Sequence, residues 1–153
     1  MRLAKVLVVL NLFSIILGGA EPDPFIGKWM LNWAKSLSTH LRPRMVVRSY
    51  QQSGKGVRVQ EKWVDANGKK TSLDYVASYD GHDYPVRSVK GETVAFTRTD
   101  TYTVQGVSKK DGKVEYIFRR LVSPDGKTLT VEMTTTDSAG KPATELLVYD
   151  KMK

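Results

Sequence analysis

The sequence predicts an all-β domain: an antiparallel up-and-down β-barrel of about ten strands, with at most one short helix after the first strand. Three observations carry this. From Phe25 onward apolar and polar residues alternate with period two. Turn dipeptides (Asn67-Gly68, Asp80-Gly81, Asp111-Gly112, Asp125-Gly126 and Ala139-Gly140) interrupt the alternation at hairpin spacing. No segment keeps a helical period over ten residues. At 153 residues the chain has the length of one domain.

The elements follow in order. The first strand is read near 25–33, and a helical turn within Ala34–Thr39 is stopped by Arg42-Pro43, because the residue before proline is pushed out of the helical region. Strands near 45–52 and 57–64 flank Ser53-Gly54-Lys55-Gly56, and one near 71–79 precedes Asp80-Gly81. A short strand at 83–87 contains Pro85, which lacks an amide donor and so leaves it poorly paired on one side. Strands near 93–99, 102–109, 114–122, 128–136 and 143–151 complete the set. Counting 83–87 makes ten, an even number that lets an antiparallel barrel close and remove its edges. An open two-sheet sandwich of the same strands is the alternative.

The first 20 residues read as a targeting segment. Arg2 and Lys5 precede an apolar run from Val6 to Leu17, and Gly18-Gly19-Ala20 offers small residues before Glu21, the expected mature N-terminus. The run is about 12 residues, short of the roughly 20 that span a bilayer; a retained N-terminal anchor is the competing reading. Residues 21–153 are then an exported domain, secreted or periplasmic, in a bacterial setting. With no cysteine it must hold together by burial and backbone pairing alone. Removal of the segment leaves 22 basic against 16 acidic side chains, a net charge of +6.

Composition sets most chemistries aside. Without cysteine there is no thiol catalysis, disulfide scaffold or Cys-ligated metal, and two histidines make a His-rich metal site hard to assemble. Asp80-Gly81-His82-Asp83 falls on a turn where aspartates are expected as turn formers, and His40 stands alone. Glu61, between Val59 and Trp63, reads as an inward carboxylate or as a register slip. No phosphate-cradling glycine loop or nucleophile elbow is present, and the basic residues lie in loops, so neither an enzyme nor a nucleic-acid binder is expected. No catalytic residue, metal or cofactor is assigned.

Phe25-Ile26-Gly27-Lys28-Trp29-Met30-Leu31 resembles the opening Gly-x-Trp strand of the calycin superfamily, which includes lipocalins and fatty-acid-binding proteins. Asp125-Gly126-Lys127-Thr128-Leu129-Thr130 and Leu147-Val148-Tyr149-Asp150-Lys151 are similar to the last strands of the fatty-acid binders. Trp29 to Ser36, Tyr79 to Val86 and Ser123 to Thr130 together resemble exported bacterial lipocalin-like domains of uncharacterised function. The resemblance implies a barrel that holds a small apolar molecule. Two departures stand out. The Arg-x-Tyr pair that grips a carboxylate in fatty-acid binders reads Leu147-x-Tyr149 here, and Ala34 to Arg44 is too short for their helix–turn–helix lid.

Alternation groups Trp29 with Leu31 and Trp33, Tyr75 with Ala77, Tyr116 with Phe118 and Arg120, and Leu129 with Val131 and Met133. Turned inward, these rows either line a ligand pocket or fill a solid barrel. The expected lining residues are Trp29, Leu31, Tyr75, Phe118, Arg120 and Tyr149. Arg120 has two readings: a bidentate clamp on a ligand carboxylate with Tyr149 as helper, or a guanidinium stacked on Trp29 to close the base. Arg119 should face solvent.

Ten up-and-down strands alternate their loops between two ends. One end collects Lys35, Arg42, Arg44, Lys69, Lys70, Lys90, Lys109, Lys110, Lys113 and Lys141, whereas the other has Lys55 and Lys127. In the superfamily the first end is the mouth, and a basic rim there favours anionic ligands or an anionic membrane surface. The functional expectation is a monomeric, exported binding module for a hydrophobic, fatty-acid-like ligand. The alternative is a solid barrel acting through its surface on envelope components or a protein partner.

Overall fold

The computed structural model describes residues 22–38, 42–136 and 140–153. The expected segment 1–20, Glu21, His40 and Ala139 of the last expected turn lie outside the described residues. The chain forms ten strands: β1 (Gly27–Leu31), β2 (Met45–Ser53), β3 (Gly56–Val64), β4 (Lys70–Ala77), β5 (Tyr84–Pro85), β6 (Glu92–Asp100), β7 (Thr103–Lys110), β8 (Lys113–Val122), β9 (Thr128–Thr136) and β10 (Pro142–Lys151). They make one antiparallel sheet in the order β4-β3-β2-β1-β10-β9-β8-β7-β6-β5. First and last strands pair, Trp29 opposite Lys151 and Leu31 opposite Tyr149, so the sheet curls into a nearly closed barrel.

The seam falls between β4 and β5. There the Arg87 amide donates to the Asp74 carbonyl at 2.9 Å and the Asp74 amide to Ser88 Oγ at 3.2 Å, in place of a ladder. Pro85 explains why β5 is two residues long and pairs with β6 alone. Elsewhere hairpin chemistry sets the register. Asp111 and Gly112 both have positive φ, the requirement of a two-residue type I′ turn, and they join β7 to β8 at the pair Lys110–Lys113, after which an irregularity between Lys109 and Ser108 shifts the pairing so that Ser108 faces Tyr116.

β1 is shorter than the alternation predicts, because side chains at both ends leave the ladder. The Phe25 amide donates to Asp23 Oδ1 at 3.1 Å, and Asn32 Oδ1 accepts from the Ala34 amide at 3.0 Å, starting a single 3-10 turn at Trp33–Lys35. The chain then lies along β10. Ser36 Oγ accepts from the Val148 amide at 2.9 Å, Leu37 exchanges two backbone hydrogen bonds with Leu146, and Ser38 Oγ donates to Glu145 at 3.0 Å. This strap stands where a helical lid would sit.

The inward rows form one core that divides along the barrel axis. The end remote from the basic loops is filled by Phe25, Trp29, Tyr50, Val57, Phe96, Val104 and Leu129, all buried. The gap left between Phe25, Tyr50, Val57, Tyr79, Phe96, Val104 and Arg120 is too narrow for a water molecule. The other half of the barrel is hollow.

Candidate functional site

The hollow is a cavity of about 660 Å³, a size suited to a small ligand. Its wall is apolar and aromatic, with Leu31, Trp33, Val46, Trp63, Leu73, Tyr116, Met133 and Leu147 facing inward. It opens among Arg42, Pro43, Asp65, Ala66 and Asn67, so the mouth lies at the end with the basic loops. Trp33 is set in the rim by donating Nε1–H to the Pro43 carbonyl at 3.0 Å, and the Arg42 guanidinium stands 5.5 Å from its ring centroid.

Besides Glu145, which Ser38 holds on the β10 side, the wall carries a cation and a carboxylate side by side. Arg48 on β2 faces Glu61 on β3 across the ladder, and Arg48 Nε donates to Glu61 Oε2. The same guanidinium lies 5.3 Å from the Tyr149 ring centroid, and the Tyr149 hydroxyl donates to Glu61 Oε2 at 3.5 Å. Burial works against the Arg48 charge; Glu61 and the neighbouring tyrosines outweigh it and hold the guanidinium pKa above its ordinary value. Burial likewise pushes the Tyr149 hydroxyl far up, with Arg48 pulling it back.

Beneath this floor lies a second guanidinium. Arg120 is 5% exposed, and its Cζ stacks 4.1 Å from the Phe118 ring centroid and 5.6 Å from that of Phe96. Among the described residues four buried polar atoms find no hydrogen-bond partner: Arg48 Nη1, Tyr50 Oη, Tyr75 Oη and Arg120 Nε. Tyr75 is pushed up to about 12 by burial, with the Arg120 charge partly offsetting that. All four of these atoms can donate a hydrogen bond, and a set of unpartnered buried donors is complementary to an acceptor, best of all an anion.

Of the six expected lining residues, Leu31 and Tyr149 are on the cavity surface. Tyr75, Phe118 and Arg120 are buried in the layer below it, and Trp29 lies in the filled half. The stacking of Arg120 on Trp29 is corrected, because Trp29 is covered by Lys151, its partner across the β1–β10 ladder, with Nζ 4.9 Å from the ring centroid. Arg98 closes the base as well: Nη2 reaches Asp23 Oδ2 at 2.6 Å, and the guanidinium stands 4.2 Å from the Tyr79 ring centroid. Arg119 faces outward toward Glu132 at 3.7 Å. Asp80 serves its turn, accepting from the His82 amide at 3.0 Å and the Tyr84 hydroxyl at 2.7 Å.

The sequence reading missed Arg48 and left Glu61 open. Both stand at inward positions of otherwise apolar rows, Val46-x-Arg48-x-Tyr50 and Val57-x-Val59-x-Glu61-x-Trp63. Counting outward from the Ser53–Gly56 end of the hairpin puts them opposite each other, a signal available from the turn alone.

No protein-family model matches the chain, and neither does any curated protein. Solved structures do. The wild-type fluorescent protein UnaG is 15% identical with a TM-score of 0.56 over 85% of this chain and 98% of its own. The zebrafish ileal bile acid-binding protein in complex with cholic acid is 14% identical with a TM-score of 0.58 over 84% of this chain and 99% of its own. Strand order, closure through β1 and β10 and these likenesses together show that the chain shares the fold of these proteins, a nearly closed ten-stranded antiparallel β-barrel.

Proposed function

We propose that the protein is an exported, non-enzymatic binding module that holds a hydrophobic, fatty-acid-like anion in the upper half of its barrel. The observation that carries this reading is the set of unpartnered buried donors on Arg48, at the floor of an apolar cavity, and on Tyr50, Tyr75 and Arg120 beneath it. The cavity takes the tail, and the donors call for an acidic head. The likeness to a barrel solved with cholic acid supports a ligand that is both apolar and acidic. The hollow upper half weighs against the solid-barrel reading.

The rim extends the proposal to an anionic membrane surface as the place of loading. Leu37, Met45 and Val114 are exposed near the mouth loops that carry Arg42, Arg44, Lys69, Lys70 and Lys113. Apolar tips among cations suit a shallow, salt-sensitive contact with acidic lipid. The targeting reading adds that the mature chain begins at Glu21, which N-terminal sequencing of the exported protein checks.

Native mass spectrometry of protein purified from its own host, with lipid extraction and identification of the extract, tests the ligand. A recurring acidic amphiphile released on denaturation is the expected result. Repeated recovery of an empty barrel that takes up no added long-chain acid would overturn the proposal.

A further inference from the structure

We propose that Glu61 is a built-in competitor for the ligand's head group: in the empty barrel its carboxylate occupies the Arg48 fork, and an acid binds by displacing it. This rests on the reading that the cavity takes a hydrophobic acid.

The geometry that leads here is local. Arg48 and Glu61 are register partners on β2 and β3, and both lie on the cavity surface, so an incoming head group can reach the pair. The other guanidinium of the interior, Arg120, is one layer below. At the mouth Arg42 is stacked over Trp33. Arg48 is therefore the cation that a carboxylate descending through the apolar wall meets first at depth, and Glu61 is already bonded to its Nε.

The pair is only part satisfied. Arg48 Nη1 has no partner, and both bonds to Glu61, from Arg48 and from Tyr149, end on Oε2. Among the described residues Oε1 takes no hydrogen bond, and the Glu61 side chain keeps 16% of its exposure against 10% for Arg48. Glu61 thus has a free oxygen and room toward the cavity. Two carboxylates on one guanidinium in a low-dielectric wall repel each other strongly. The ligand's head group gains Arg48 to the extent that Glu61 lets go. The residue consequently sets how far the barrel prefers an acid over a neutral molecule of the same shape.

The test compares a C16 carboxylic acid with the primary alcohol of the same chain, each titrated calorimetrically into the wild-type protein and into Glu61→Gln. Removing the competitor should tighten the acid about tenfold, the scale of one charge-assisted hydrogen bond, and change the alcohol less than about twofold. If neither compound binds the wild type, the underlying ligand reading fails. If both bind and the acid-to-alcohol ratio is unchanged in Glu61→Gln, or both gain equally, the competitor role is overturned while the ligand reading stands. Should circular dichroism show Glu61→Gln unfolded, Glu61→Asp takes its place. It keeps the charge but withdraws it by one methylene, so the acid should gain in the same direction by less, and an unchanged ratio again overturns the proposal.

Discussion

Arg120 and Gly106 show how single positions divide between binding and packing. The Arg120 guanidinium lies flat on Phe118, buried, with its Nε unpartnered and with no ion pair among the described residues. A buried charge in that state contributes little to folding, so Arg120→Leu is expected to leave thermal stability equal or higher. The same change should weaken a long-chain acid by less than about tenfold, because the guanidinium lies one layer below the cavity and acts on a head group through space. Melting curves and acid titrations on one variant read both effects, and a large fall in melting temperature would contradict this account. Gly106 is the opposite case. It faces inward between Phe96 and Phe118 on the neighbouring strands, and a Cβ there would stand 2.8 Å from Phe118 Cζ and crowd the Phe96 side chain and the Ala95 carbonyl. Gly106→Ala should cost about 1–3 kcal/mol by overpacking, seen as a lower urea midpoint at unchanged slope.

At the level of the element, the β2–β3 hairpin holds the interior charge pair. Arg48→Met removes one partner and leaves the Glu61 carboxylate facing an apolar wall, an expected loss of about 3 kcal/mol. The double change Arg48→Met with Glu61→Gln removes both charges and should recover most of that, to within about 1 kcal/mol of wild type. Chemical denaturation of the wild type, Arg48→Met, Glu61→Gln and the double variant closes the cycle. Elements were also the scale at which the sequence was most informative. The inward parity of Tyr116, Phe118 and Arg120 follows from their own alternation along β8, beyond an irregularity at Ser108–Lys109 that shifts the pairing set by the Asp-Gly turn, and β5 is short for the reason Pro85 supplies. What alternation could not show is which inward side chains fill space and which border it. Trp29 and Leu31 share a strand face, yet one is packed in the base and the other lines the cavity, because the bulk of Phe25, Tyr50 and Phe96 collects at one end. That distribution is a property of the closed sheet, and no single strand contains it.

For the whole molecule the division into a filled and a hollow half makes stability and binding separable. The interior buries several phenols. Tyr75 is held up to about 12 by burial, and Tyr79, Tyr116 and Tyr149 are also raised for that reason first. An unfolded tyrosine ionises near 10. A raised folded value means that the neutral form favours the fold. This contribution is complete below about pH 10 and is lost as pH rises through about 12. Alkaline titration should therefore show late tyrosinate absorbance rising together with the loss of near-ultraviolet circular dichroism. Ionisation of all seven tyrosines near pH 10 without unfolding would contradict the packing described. The hollow half faces the basic rim, and sedimentation with vesicles should show uptake by acidic lipid that falls with added salt, with little uptake by neutral lipid.

The seam between β4 and β5 gives the shell one weak side. Two hydrogen bonds at Asp74 join β4 to the segment just after β5 in place of a ladder, so this flank is expected to open ahead of the long ladders of the wall. The amide protons of Asp74 and Arg87 should trade with deuterium well ahead of those in β7 and β8, and under the ligand reading proposed above the residence time of a guest would then depend on this clasp as well as on the mouth.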